Sequence, residues 1–291
     1  MKISFTDQIL LLDGPMGTEL ERRGSDTSLP LWSARALLKE PDLVYQIHSD
    51  YIKVGADIIT TNTFRTQEWV LSKSGFSSTK ARELTTLAVD LARESRQTHG
   101  SCFIAGSIPP LEDCYFPDLV PANSILVQEH TKHISNLADA GIDIFLIETM
   151  NSFREAKIAF EITQEYPDIP VIVSFTCDNT GNVLNQDAWS EIINFFKDKV
   201  AVISTNCSTI EGTGNAIKQL NQNNINNIGF YPNFGKIENN IWSREENKDN
   251  YYDHIHQWVE SKPTLVGTCC GATPEDTQNL STYLKKIGLR K

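Results

Sequence analysis

Three cysteines of this 291-residue chain, Cys207, Cys269 and Cys270, each follow a short apolar run. Three thiolates brought together would suit a soft divalent metal, with zinc the first choice. Three protein ligands would leave one tetrahedral position open, the arrangement of a catalytic zinc site. Free cysteines also pack as small buried hydrophobes, so the residue types alone leave both readings open. Cys207 and Cys269 are 62 residues apart, and nothing local joins them. Other chemically capable residues stand at equivalent places: Asp13, Asn62, Thr63, Glu148 and Asn233 each follow an apolar run. Whether they meet depends on the elements that carry them.

Eight β-rich apolar runs recur, at residues 8–12, 57–61, 102–106, 143–147, 170–175, 200–205, 227–231 and 264–267. Most are continuous rather than alternating, as expected of parallel strands buried on both faces. The stretches between them carry helical spacing. Pro41 opens one with apolar positions Val44, Ile47, Tyr51 and Val54. Ala81, Leu84, Ala88 and Leu91 mark the next, and Val127, Ile134 and Leu137 another. Trp189, Ile192, Ile193 and Phe196 form a stripe after the fifth run. Thr273-Pro274 opens the last helix, whose buried face is Leu280, Tyr283, Leu284 and Ile287. The pattern predicts a (β/α)8 TIM barrel, a single domain over residues 1–291, with a doubly wound open sheet as the structural alternative. In a barrel all the strand ends above open on one mouth, where active sites are built. The strand-to-helix segments 14–40, 62–78 and 107–121 are long, and long loops on that face form a site or a lid. The asparagine-rich stretch 221–227 reads as a polar turn.

Lysine plus arginine is 26 and aspartate plus glutamate is 37, giving a net charge of −11. That balance argues against nucleic acid or an anionic membrane as the partner. No apolar run approaches the ~20 residues that span a bilayer. The apolar start, Ile9 to Leu12, is too short and too acidic in its flanks for a signal peptide. The reading is therefore cytoplasmic, with reduced thiols and no disulfide framework among the six cysteines. Cys102 and Cys177 sit in or beside strands and read as core; Cys114 lacks a partner motif. The basic tail Lys285, Lys286, Arg290 and Lys291 reads as a helix C-terminus favoured by the macrodipole. His130 and His133, like His254 and His256, read as solvated helix faces.

Five segments add to this reading. They are Asp13-Gly14-Pro15-Met16-Gly17-Thr18, the stretch from Gly55 to Phe64, Asn206-Cys207, Tyr231-Pro232-Asn233, and Gly267-Thr268-Cys269-Cys270-Gly271. In this order, spanning nearly the whole chain, they resemble the homocysteine S-methyltransferase family. Leu31-Trp32-Ser33-Ala34 resembles the branch that uses S-methylmethionine or S-adenosylmethionine as methyl donor. The resemblance implies a zinc-centred barrel that methylates L-homocysteine to methionine, with Cys207, Cys269 and Cys270 as zinc ligands. It further implies that Asp13 and Glu148 hold the substrate ammonium, that backbone near Gly14 with Thr63 receives its carboxylate, and that Asn233 lies beside the zinc. Without corrinoid or folate domains, the small cationic donor is expected to bind directly. Betaine or another onium donor is the nearest alternative, and a non-catalytic zinc or thiol-amino-acid binding barrel is the rival of another class.

Two departures stand out. Thr268 replaces the second glycine of the family's Gly-Gly-Cys-Cys, and would be strained if the position needs positive φ. Pro15 stands where alanine or glycine is common. Neither removes a ligand. The chemistry is independently reasonable: a free thiol near pKa 8.5 is mostly protonated at neutral pH, and metal coordination delivers the nucleophilic thiolate. A cationic donor suits such an anionic centre. Trp32, Phe64, Tyr115 and Phe116 lie on the long loops and could face a cation or simply pack there.

Overall fold

The computed structural model describes residues 3–5, 8–223, 225, 227–238, 241–244 and 248–290. Lys291 of the basic tail and Asn224 and Asn226 of the expected turn lie outside them. Eight parallel strands form one sheet: β1 (Leu10–Leu11), β2 (Ile58–Thr60), β3 (Phe103–Ile108), β4 (Ile144–Met150), β5 (Val171–Phe175), β6 (Val202–Asn206), β7 (Ile228–Tyr231) and β10 (Leu265–Val266). Their spatial order is β1-β10-β7-β6-β5-β4-β3-β2. A parallel bridge between Leu12 and Ile58 joins the two edges, and Asp13 N donates to Ile58 O at 2.9 Å. The sheet is thus a (β/α)8 barrel rather than an open doubly wound sheet.

Eleven α-helices lie among the described residues. α3 (Pro41–Lys53), α5 (Ser78–His99), α6 (Asn123–Ala140), α7 (Phe153–Thr163), α8 (Trp189–Phe196), α9 (Ile210–Gln222), α10 (Lys248–Val259) and α11 (Pro274–Lys286) follow strands. Three short helices, α1 (Gly17–Arg22), α2 (Ala34–Lys39) and α4 (Glu68–Ser72), occupy the first two long loops. The boundaries follow local chemistry. Pro41 opens α3, where its missing N–H costs nothing. Ser77 caps α5 by accepting from Lys80 N, and Gly141 ends α6 in the left-handed region. Thr273 and Asp276 form a reciprocal capping box at α11.

Alternate strand residues divide between the barrel interior and the layer beneath the helices. Leu10, Leu12, Ile58, Ala105, Ile144, Leu146, Ile172, Val202 and Leu265 fill the barrel interior. Their neighbours Ile59, Ile104, Phe145, Ile147, Val173 and Ile203 pack outward under the helices. Burial on both faces explains the continuous apolar runs, and each such side chain contributes about 1.5–3 kcal/mol.

Some sequence expectations change. Val127 and Ile287 are 47% and 39% exposed, and Ile287 is the C-cap of α11 rather than part of its buried face. His130 and His133 are buried rather than solvated. His130 Nε2 lies 3.0 Å from Glu155 Oε1, and His133 Nε2 lies 2.9 Å from the Ser107 carbonyl, so both face inward toward polar partners. His254 and His256 are half-buried, and His256 stacks on Tyr283 at 3.5 Å. Cys102 and Cys177 are core residues, as expected.

Arg290 also departs from expectation. It lies beyond the end of α11 rather than in its last turn: its side chain is 7% exposed and closes the barrel floor. Nη2 and Nε donate to Asp57 at 2.7 and 3.1 Å, and Nη1 donates to Ser281 Oγ at 2.6 Å. The hairpin of β8 (Gly235–Glu238) and β9 (Ile241–Arg244) follows β7 and has no counterpart among the eight expected runs.

Candidate metal and substrate site

At the C-terminal ends of the strands lies a cavity of about 370 Å³. Cys207, Cys269 and Cys270 line one side, and Asp13 and Glu148 line it as well. Barrel closure makes the cysteines neighbours, since β6 and β10 flank β7. Cys207 Sγ lies 3.0 Å from Cys269 Sγ and 3.9 Å from Cys270 Sγ, and all three sulfurs fall within 4.8 Å. Three sulfurs on a tetrahedral zinc at ~2.3 Å would stand about 3.8 Å apart. The donor set is soft and its spacing fits such an ion. Among the described residues no other group of three metal-ligating side chains occurs.

Cys207 sits in the left-handed region, at φ 52°. A non-glycine residue there costs on the order of 1–3 kcal/mol and persists where its surroundings hold it. Its carbonyl accepts from the Tyr115 and Thr176 hydroxyls, both at 3.3 Å. The adjoining Ser208 hydroxyl accepts from Cys177 N at 2.8 Å and donates to Asn206 O at 3.0 Å. On the other side, Cys269 N donates to Pro232 O at 2.9 Å, Phe234 N to Cys270 O at 2.7 Å, and Gly271 N to Thr18 Oγ1 at 3.0 Å. Three thiols this close cannot all ionise without a cation between them. Hydrogen bonds from Cys207 and Cys270 push the Cys269 thiol down, and the same contact with Cys269 pushes Cys207 up.

The acids are held differently. Asp13 accepts from Thr60 N at 2.8 Å and from the Thr60 hydroxyl at 3.0 Å. Burial nevertheless pushes its carboxyl well above the usual range. Glu148 continues the inward series of Ile144 and Leu146. It accepts from the Ser107 hydroxyl, and the Tyr231 hydroxyl stands 3.5 Å from its other oxygen. Burial pushes the Glu148 carboxyl up to about 8. Just beyond it, the β4 register shifts between Ile147 and Met150, and Thr149 adopts φ 57°. That is an outlier for a β-branched residue. Asn206 holds it: Thr149 N donates to Asn206 Oδ1 at 2.9 Å, and Asn206 Nδ2 donates to Thr149 Oγ1 at 2.8 Å.

Gly14 lines the cavity, where a Cβ would meet the Tyr51 hydroxyl at 2.6 Å. Thr63 does not line it. It is fully buried, and its hydroxyl donates to Ser107 O at 3.1 Å beside the Thr61 hydroxyl at 2.8 Å. Asn233 also lies behind the wall; its N–H donates to Ser208 O at 2.9 Å, and its Oδ1 is buried without a hydrogen-bond partner. Trp32, Phe64 and Tyr115 line the cavity, with the Trp32 and Phe64 rings edge-on at 5.5 Å. Phe116 does not; it is 47% exposed. Thr268 is not among the positive-φ residues, so the strain its replacement of glycine could have caused is absent, and its hydroxyl lies 3.2 Å from that of Thr277.

Sequence reasoning missed four contributors. Asn206 and Tyr231 stood inside the quoted motifs, beside Cys207 and Asn233, and their positions were the available signal. Ser107 and Arg65 carried none beyond their place on long loops.

Fold and site define a (β/α)8 barrel enzyme whose mouth carries a three-cysteine site able to hold a metal. Residues 10–284 match the model of the homocysteine S-methyltransferase family, and the chain belongs to that family. It is 28% identical to homocysteine S-methyltransferase YbgG of Bacillus subtilis, over 97% of this chain and 96% of that one. It is also 28% identical to a selenocysteine methyltransferase of Astragalus bisulcatus, over 94% of this chain and 92% of that one. The metallated form of the homocysteine methyltransferase MmuM from Escherichia coli superposes with a TM-score of 0.84 at 28% identity, covering 95% of this chain and 96% of that one.

Proposed function

We propose that this protein transfers a methyl group from a sulfonium donor, S-methylmethionine or S-adenosylmethionine, to the thiol of L-homocysteine, giving methionine. The observation that carries the reading is the meeting of three distant sulfurs within 4.8 Å in one cavity wall. Cys207, Cys269 and Cys270 would hold zinc, which when bound supplies the charge that keeps an acceptor thiol deprotonated at neutral pH. Asp13 and Glu148 receive the homocysteine ammonium. Neither is ion-paired among the described residues, so a substrate cation is the charge that would let both ionise. Gly14 offers backbone to the carboxylate, while Thr63 acts from beneath by fixing Ser107. Asn233 stands close behind the cysteines, tethered through Ser208.

The chain's residues align the reactants. The homocysteine sulfur forms a bond to the donor's methyl carbon as that carbon leaves the donor sulfur. The bonding pair stays on the donor, which departs as a neutral thioether. In-line placement of attacking and leaving atoms supplies much of the acceleration. Trp32, Phe64 and Tyr115 offer faces to the donor cation. Betaine is the second donor reading, because the same aromatic wall would accept a quaternary ammonium. The unstrained Thr268 gives no support to a non-catalytic barrel.

We read residues 1–291 as one domain acting in the cytoplasm; no helix among the described residues is long and apolar enough to cross a membrane. Metal analysis of the purified protein, beside methionine formation from homocysteine with each donor, tests the reading. About one zinc per chain and turnover with a sulfonium donor are expected. Bound zinc and homocysteine with no methionine from any donor would overturn it in favour of a binding protein.

A further inference from the structure

Among the described residues, Arg65 supplies the sole positive charge in the cavity wall. Aspartates and glutamates there number four, Asp13, Glu21, Asp113 and Glu148, and the thiols stand beside them. Arg65 makes no ion pair among the described residues, and its Nε is buried without a hydrogen-bond partner. Asp113, which also lines the cavity, accepts from Tyr115 N at 2.9 Å. The guanidinium lies 5.4 Å from the Phe64 ring centre, and Phe64 packs on Trp32. A planar fork stacked on an aromatic and left unpaired in a half-buried position is matched to a carboxylate from outside the chain.

We infer that Arg65 binds the carboxylate of the methyl donor, so that the donor must carry both a cationic methyl centre and a carboxylate. The inference rests on the methyl-transfer reading above and narrows its donor class. The acceptor is placed deeper, with its sulfur at the cysteines and its ammonium at Asp13 and Glu148, both nearly fully buried. Arg65 is half-buried, less deeply than the two acids, and lines the cavity with Trp32 and Phe64 from the first two long loops. Charge agrees with this. The acids and thiolates attract the onium centre, and the one arginine gives the donor's opposite charge a partner.

The test uses the zinc-loaded protein, with homocysteine replaced by its thiol-less analogue 2-aminobutyrate so that no methyl is transferred during the titration, and a matched pair of probes. S-methylmethionine carries the carboxylate; (3-aminopropyl)dimethylsulfonium is the same molecule without it. Betaine and tetramethylammonium form a second pair. Calorimetric binding should favour the carboxylate member of at least one pair by about 10- to 100-fold, the scale of a charge-assisted contact. Arg65→Gln should abolish that preference, Arg65→Lys should restore part of it, and zinc content and homocysteine affinity should stay at wild-type levels. An unchanged preference in Arg65→Gln overturns the inference. So does a loss that falls on homocysteine affinity instead, which would assign Arg65 to the acceptor's carboxylate, or a wild-type protein indifferent to the carboxylate. Discriminating binding without methyl transfer would count against the proposed reaction and leave this assignment standing; methyl transfer without discrimination would do the reverse.

Discussion

Four acids divide the two ends of the barrel. At the floor, Asp57 and Asp143 each have an arginine: Arg290 Nη2 donates to Asp57 at 2.7 Å, and Arg96 Nη1 donates to Asp143 at 2.6 Å. Each floor acid also accepts a strand N–H, from Leu11 or Ile104, at 2.8 Å. At the mouth, Asp13 and Glu148 are more deeply buried yet accept only neutral donors, and burial pushes both carboxyls up. The mouth also concentrates backbone tension, with Trp32, Thr149 and Cys207 all at positive φ. One end completes its electrostatics within the chain. The other leaves charges to be answered by a ligand, which is how a binding surface differs from a structural one.

The largest effect expected at the mouth comes from the sulfurs. Cys207→Ser should lower methyl transfer on the order of 1,000-fold or more, with zinc per chain falling toward zero in metal analysis. Full turnover by the metal-free variant would break the division drawn here. Next come the acids. Asp13→Asn and Glu148→Gln should each raise the KM for homocysteine by roughly 10- to 100-fold, with little loss of zinc.

Glu148 adds a pH signature. The folded chain keeps this proton up to about pH 8, whereas an unfolded chain releases it near pH 4.3. The folded state therefore binds the extra proton between those values, so its stability falls as pH rises through the window and levels off above it. Stability of metal-free protein from urea titration should show that decline by a few kcal/mol at about 1.4 per unit, and Glu148→Gln should lessen it, the raised Asp13 carboxyl keeping part of the slope. An identical pH profile in the variant would place the cost elsewhere.

The floor should behave in the opposite sense. Arg290→Ala should cost about 2–3 kcal/mol of stability, because it strands Asp57, while leaving both KM values near wild type; denaturant titration and kinetics check the two halves. The smallest effect is Thr268→Gly. It loses the contact with Thr277 and adds glycine's backbone entropy, about 0.5–1 kcal/mol, with turnover within about twofold. A large gain in activity would mean that Thr268 restrains the site.

The barrel was legible because its strands are buried on both faces, so 144–147 and 200–203 read as unbroken apolar runs. The three cysteines could be placed at one mouth once the strand count reached eight. What stayed hidden depends on contacts between elements. His130 and His133 carry polar side chains on a helix, and nothing in α6 shows that Glu155 and the Ser107 carbonyl wait to receive them. Thr63 lies in a motif of hydroxyls, and the sequence does not tell which one faces the cavity and which is spent on Ser107. Arg290 read as part of a basic helix C-terminus because its partner, Asp57, lies 233 positions away. The β8–β9 hairpin is short and polar enough to pass for loop.

β10 is two residues long, yet it joins β7 to β1, where the sheet's last strand meets its first. The turn that follows it supplies two of the three sulfurs and is laced to both neighbours through Pro232, Phe234 and Thr18. An ion shared with Cys207 would therefore act as a hoop around the rim, binding one of the two shortest staves to the end of β6. Stripping it should unseal the vessel as well as silence the reaction, with amide exchange quickening first along that joint.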